Sequence, residues 1–137
     1  MEEEFKQRSS IMLVDDDNEL REMMTDHLSL SFIISAFGSG HEAIECINTG
    51  KKIDLLITDF NLEDPTGLDG LDIVEALRVG QPDVPVILIT GSMTHEPRIQ
   101  GLLKMPKTNV LLKPVDRSIV DKLIEKLFLE TSSSKVP

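Results

Sequence analysis

Tryptophan and tyrosine are absent from this 137-residue sequence, and aromatic side chains make up only 4% of it. A core must therefore be assembled from Ile, Leu, Val and Met, and little is on hand to stack a flavin ring. Cysteine occurs once, at Cys46, so an internal disulfide is excluded. Its neighbours Ala43, Ile44 and Ile47 read it as a small buried apolar residue in a reducing compartment. Basic charge is scarce: 14 Lys and Arg stand against 24 Asp and Glu, a formal net charge of -10. Nucleic acid surfaces need clustered cations to neutralise phosphates, so no direct nucleic acid contact by this domain is expected. The acidity reads equally well as plain solubility. No apolar run approaches the roughly 20 residues of a membrane helix. The opening Met1-Glu2-Glu3-Glu4 is acidic where a secretory signal is basic. A cytoplasmic chain with no membrane contact is expected.

What is present suits one domain with one core. Apolar residues make up 40% and charged residues 28%, an ordinary globular balance. Residues 1–9 read as an N-terminal tail, 10–130 as the domain, and 131–137 as a Ser-rich tail or a linker to a further domain. Inside the domain two patterns alternate. Short apolar runs occur at Ile11-Met12-Leu13-Val14, Phe32-Ile33-Ile34, Leu55-Leu56-Ile57, Val86-Ile87-Leu88-Ile89 and Val110-Leu111-Leu112. Runs of this length, rich in β-branched residues, predict strands covered on both faces. Helical stretches lie between them. Asn18 is placed to cap a first helix whose apolar residues include Leu20, Met23, Met24 and Leu28. Ser39 or Gly40 opens a second, with Ala43, Ile44 and Ile47 inward and Gly50 at its end. A third runs from about Asp69 to Val79, with Leu71, Ile73, Val74 and Leu77. A fourth, near Pro97 to Lys104, is weakly patterned. Asp116 caps a fifth, carrying Ile119, Val120, Leu123, Ile124, Leu127 and Phe128. This alternation predicts (βα)₅ around a parallel sheet, with strand order 2-1-3-4-5. Ligands of such sheets bind at the carboxyl ends of the strands.

Four of the runs end in polar residues that would share that edge. Run one ends in Asp15-Asp16-Asp17, run three in Thr58-Asp59, run four in Thr90-Gly91 and run five in Lys113-Pro114. Each has a bland reading alone: capping acids, a β-branched strand end, a surface lysine. All four at four strand ends are harder to dismiss. Clustered carboxylates repel, and a bound cation removes that cost. Oxygen ligands with room for water suit Mg²⁺. A carboxylate can also act as nucleophile toward phosphorus. Phosphoryl transfer needs positioning and charge stabilisation, which Lys113, a metal and the Thr90 hydroxyl would supply.

The segments Ile11 to Asp17 with Glu19-Leu20-Arg21, Asp54 to Leu62, Gly67-Leu68-Asp69-Gly70, Val84 to Gly91 and Leu112-Lys113-Pro114 together resemble the receiver domain of two-component response regulators. The resemblance covers about residues 10 to 130. It implies a three-layer αβα sandwich of flavodoxin-like topology. It implies that Asp59 is the phosphoacceptor, with Asp15, Asp16, Asp59 and the Asn61 carbonyl binding Mg²⁺, or Mn²⁺ in its place. Asp16 would be the more direct ligand, and Asp15 would act through water. Thr90 would be the switch hydroxyl, Lys113 would pair with a phosphoryl oxygen, and Pro114 would follow a cis bond. The backbone N–H groups of Phe60 and Gly91 would also reach the phosphoryl group. The implied partners are a sensor histidine kinase or histidine phosphotransfer protein upstream and an output domain or downstream protein beyond. The resemblance also implies that the domain would catalyse its own phosphorylation and dephosphorylation and would otherwise be a signalling module.

Two places depart from the family pattern. The aromatic switch residue usual three positions before the lysine is Val110 here, which is short and stiff about χ1. The loop Glu63 to Leu68 is about three residues longer than usual. A signal is therefore expected to leave through residues 61 to 70 and 91 to 98 rather than through strand five and the last helix. That helix could carry a homodimer face, although burying its own core stripe explains its apolar residues. Other readings fit less well. A haloacid dehalogenase-type phosphatase places a second Asp two residues after its nucleophile, where this chain has Asn61. A flavodoxin-like binding module leaves the three acids without a role. A calcium loop over Asp59 to Asp64 lacks the glycine at its sixth position. His27, His41 and His95 show no metal spacing and read as solvent-facing.

Overall fold

The computed structural model describes residues 8–91, 97, 100, 101, 104 and 107–134. Five strands, β1 (Ser10–Val14), β2 (Ile33–Phe37), β3 (Leu55–Asp59), β4 (Val86–Thr90) and β5 (Thr108–Leu112), form one sheet. Its order is β2-β1-β3-β4-β5 and every pairing is parallel. Four described helices connect and flank them: α1 (Asn18–Leu28), α2 (Gly40–Asn48), α3 (Gly70–Gly80) and α4 (Arg117–Ser134). The predicted helix near 97–104 lies largely outside the described residues, as does His95.

Alternation along the strands sends side chains to two separate cores. Met12, Val14, Leu56 and Leu88 pack with Ala43 and Ile47 of α2 and with Leu71, Val74 and Leu77 of α3. Ile11, Leu13, Leu55, Ile57 and Ile87 pack with Leu28 of α1 and Val120, Ile124 and Leu127 of α4. Each fully buried aliphatic contributes on the order of 1.5–3 kcal/mol, so this double core is what holds the sheet edge in shape. Cys46 is half-buried against the first cluster.

Several local expectations are corrected. β3 is buried throughout, and β1 and β4 are buried but for Ser10 and Ile89, whereas the outer strands β2 and β5, with one neighbour each, stay partly exposed. β2 also begins at Ile33 and runs on to Phe37. The cap of α1 is Asp17, whose carboxylate accepts from Leu20 N at 3.1 Å; Asn18 is the first helical residue. Along α1 burial rises from one end to the other. Leu20 is 45% and Met23 59% exposed, while Leu28 is buried, so the helix meets the core with its second half. Ser39 caps α2, and Asp69 caps α3 through a reciprocal box with Asp72. Asp116 accepts from Ser118 N at 2.8 Å at the start of α4. That helix continues through residues 131–134, where a tail was expected. His27 is not simply solvent-facing: Nε2 sits 2.9 Å from Asp121 and joins α1 to α4 across 94 residues. His41 is exposed, beside Glu45 at 3.0 Å.

Candidate functional site

Parallel pairing sets the ends of β1, β3, β4 and β5 along one edge. Val14 is level with Thr58, Asp59 with Ile89, and Thr90 with Leu112. The next residues on β1 and β5 are Asp15 and Lys113. Asp59 closes β3 at 3% exposure, and Lys113 Nζ lies 3.1 Å from its Oδ2. Asp15, Asp16 and Asp59 each offer a carboxylate oxygen within 4.8 Å of the others. The cluster holds oxygen donors only, on a partly open edge, which suits a hard cation that keeps some of its water.

Burial pushes the Asp59 carboxyl up to about 7. The neighbouring Asp15 adds to the rise, and Lys113 opposes it. One ammonium is thus too little for three carboxylates, and a divalent cation would tip Asp59 to its ionised form.

The scaffold around the cluster is fastened by backbone contacts. Asp15 N donates to Phe37 O at 3.1 Å, and Asp17 N to Asp15 Oδ1 at 2.9 Å. Arg21 reaches back from α1 to Asp15 O at 2.7 Å and to Asn18 Oδ1 at 2.6 Å. A Cβ on Gly38 would meet the Arg21 guanidinium at 2.9 Å. Arg21 stands four residues after Asp17, a helical spacing, but its carbonyl target carries no sequence mark. Gly70 is the second support that the sequence did not reveal. A Cβ there would stand 2.2 Å from Asp59 O, and Gly70 N donates to Phe60 O at 2.8 Å.

Thr90 is buried at 2% exposure, and its carbonyl accepts from Lys113 N at 2.8 Å. The Lys113-Pro114 bond is cis, as the resemblance implies. Asn61 is exposed, one residue past Phe60. The expected role of the Phe60 N–H is corrected. It donates to Ile89 O at 2.7 Å, carrying the β3–β4 ladder one step beyond Asp59, and is committed there.

A five-stranded parallel sheet of this order with an acidic cluster and a lysine at its carboxyl edge defines a flavodoxin-like domain of the receiver type. The comparisons agree. The response regulator receiver domain family matches residues 11–125. RegA, the photosynthetic apparatus regulatory protein of Rhodobacter capsulatus, is 31% identical over 135 residues, covering 91% of this chain and 68% of RegA. ARR20 of Arabidopsis thaliana, named as a two-component response regulator, is 30% identical over 123 residues, covering 87% of this chain and 27% of ARR20. A response regulator receiver protein from Sinorhizobium medicae superposes with a TM-score of 0.74 at 26% identity, covering 88% of this chain and 94% of that one. The chain belongs to the response regulator receiver domain family. It spans about a quarter of the length of ARR20. Among the described residues, no helix is long and apolar enough to cross a membrane.

Proposed function

We propose that the chain accepts a phosphoryl group on Asp59 from a phosphohistidine of a sensor histidine kinase or a histidine phosphotransfer protein, and passes the signal on by changing shape. The observation that supports this best is Asp59 itself, only 3% exposed, with Lys113 Nζ at 3.1 Å and two further carboxylates within 4.8 Å. A structural acid has no use for such a setting, since like charges at a buried position destabilise the fold.

In the step proposed, an Asp59 oxygen attacks phosphorus. The new O–P bond forms as the P–N bond breaks, and the electron pair leaves on the imidazole nitrogen. Lys113 shifts its ion pair from the carboxylate to a phosphoryl oxygen, and the Thr90 hydroxyl donates to another. Asp15, Asp16, Asp59 and the Asn61 carbonyl would hold Mg²⁺, or Mn²⁺ in its place. When bound, the ion supplies charge neutralisation for the carboxylates and the phosphoryl oxygens. Hydrolysis of the acyl phosphate at the same site returns the domain to rest. The state of Asp59 would then be read by an output domain or a downstream protein.

The test is direct. Incubation with acetyl phosphate and Mg²⁺ adds one phosphoryl mass, labile to base and hydroxylamine, and Asp59→Ala abolishes the addition. Undiminished labelling of Asp59→Ala sinks the assignment, and peptide mapping then falls on Asp15 and Asp16 beside it, or on Glu63 and Asp64, the next acids along the chain.

A further inference from the structure

Asp64 lies in the lengthened loop and outside the acidic cluster, yet its carboxylate is heavily engaged. Oδ1 accepts from Thr66 N at 2.8 Å and Thr66 Oγ1 at 2.6 Å, closing the loop on itself. Oδ2 reaches out to His41 N at 2.9 Å and lies beside Gly40, where a Cβ would stand 3.4 Å from it. The His41 amide belongs to the first turn of α2, where a helix has no acceptors of its own. The helix's own cap, Ser39, serves Glu42 N at 3.2 Å instead. The loop is also pressed onto the helix. A Cβ on Gly40 would stand 3.0 Å from Leu68 Cβ and 3.2 Å from Leu68 O. At its other end, the same loop touches the acidic cluster, where Glu63 N donates to Asp16 Oδ2 at 3.1 Å.

One carboxylate therefore fastens the loop to α2, while the amide of the preceding residue is fastened to a carboxylate of the cluster. Residues 61 to 64 cannot move relative to Asp16 without pulling on the first turn of α2. We propose that Asp64 is a positioning residue: by clasping the loop to α2 it sets the geometry of the cation site at Asp16, so that cation binding and the order of the first turn of α2 form one coupled equilibrium. The inference rests on the cation site proposed above. Coupling of this kind is reciprocal. A cation at Asp16 must steady the amide of His41, and loosening that amide from Asp64 must weaken the cation.

The experiment titrates the chain with Mg²⁺ by calorimetry and follows amide hydrogen exchange by NMR. Asp64→Ala is expected to weaken Mg²⁺ binding about fivefold, the lower end of common coupling energies. In the parent, Mg²⁺ slows exchange at His41, and in Asp64→Ala that slowing is lost. Asp64→Asn keeps a carbonyl acceptor and recovers part of the affinity. Ser39→Ala is the control, because it loosens the same turn without touching the loop, and its Mg²⁺ affinity stays within about twofold of the parent, below the range of common coupling energies. An unchanged affinity in Asp64→Ala, or an equal loss in Ser39→Ala, overturns the clasp and leaves the cation site standing. A parent that binds no Mg²⁺, or Asp16→Asn binding it as tightly as the parent, overturns the cation site and the clasp with it.

Discussion

Asp59 and Asp64 show how differently two carboxylates of one domain are treated. Asp64 is held down to about 2 by hydrogen bonds from Thr66 and His41, while Asp59 is pushed up to about 7, first by burial and then by Asp15. The two shifts act on stability in opposite directions. Asp64 contributes stability above its ordinary value of 3.8 and loses it as pH falls toward 2. Asp59 contributes most below 3.8 and loses that contribution as pH rises through 7, because the folded state keeps a proton that the unfolded chain releases. The interval from about pH 4 to 8 therefore isolates Asp59. In metal-free protein with a chelator, Asp59→Asn should gain on the parent steadily across that interval, by roughly 2–4 kcal/mol at one pKa unit per 1.4 kcal/mol. Urea denaturation of both proteins at a series of pH values checks this. A flat difference would mean that the Asp59 carboxyl is not raised.

At the scale of elements, the approach of α3 to β3 matters most for the site. Gly70 opens α3 with its Cα against the Asp59 carbonyl, and Asp69 ahead of it caps the helix with Asp72. A methyl group at 70 would have to push the Asp59 backbone aside, since no flexible side chain is there to yield. Gly70→Ala should therefore cost about 1–3 kcal/mol of stability, as overpacking does, and should slow acetyl phosphate labelling. Gly80, at the other end of the same helix, has nothing within 4 Å of a built Cβ. Gly80→Ala should be neutral or stabilising, because Ala favours helix over Gly by up to about 1 kcal/mol. Urea midpoints of the pair decide the matter, and equal effects would remove Gly70 from the site's support.

Across the whole molecule, the two cores hold the strand ends in place while the carboxyl edge carries an unresolved charge problem. Asp15, Asp16 and Asp59 face one another, with Lys113 as the ammonium beside Asp59. A cation that binds only the folded state adds RT ln(1 + [L]/Kd), about 2.7 kcal/mol at 100 times Kd. For a domain of this size, that corresponds to a rise of roughly 10 °C in melting temperature. Millimolar Mg²⁺ should produce it, and Asp16→Asn should blunt it. An equal rise in Asp16→Asn would place the ion elsewhere.

The amino-acid sequence by itself determined the alternation of strands and helices, the parallel order of the sheet, and which residues stand at the strand ends. It could do so because apolar runs and helical spacing are local, and parallel topology brings every carboxyl end to one edge. Asp15, Asp16, Asp59, Thr90 and Lys113 were legible for that reason, as were the caps Ser39 and Asp116. Tertiary structure alone decided the rest. It exposed Leu20 and Met23 because α1 joins the core with its second half, and it paired His27 with Asp121 across 94 residues. It committed the Phe60 N–H to Ile89, pressed Gly70 onto Asp59, and turned Asp64 from a loop acid into a cap for α2. These are contacts between segments far apart in the chain. No period or spacing within one segment encodes them, and only the packing of the elements brings the partners together.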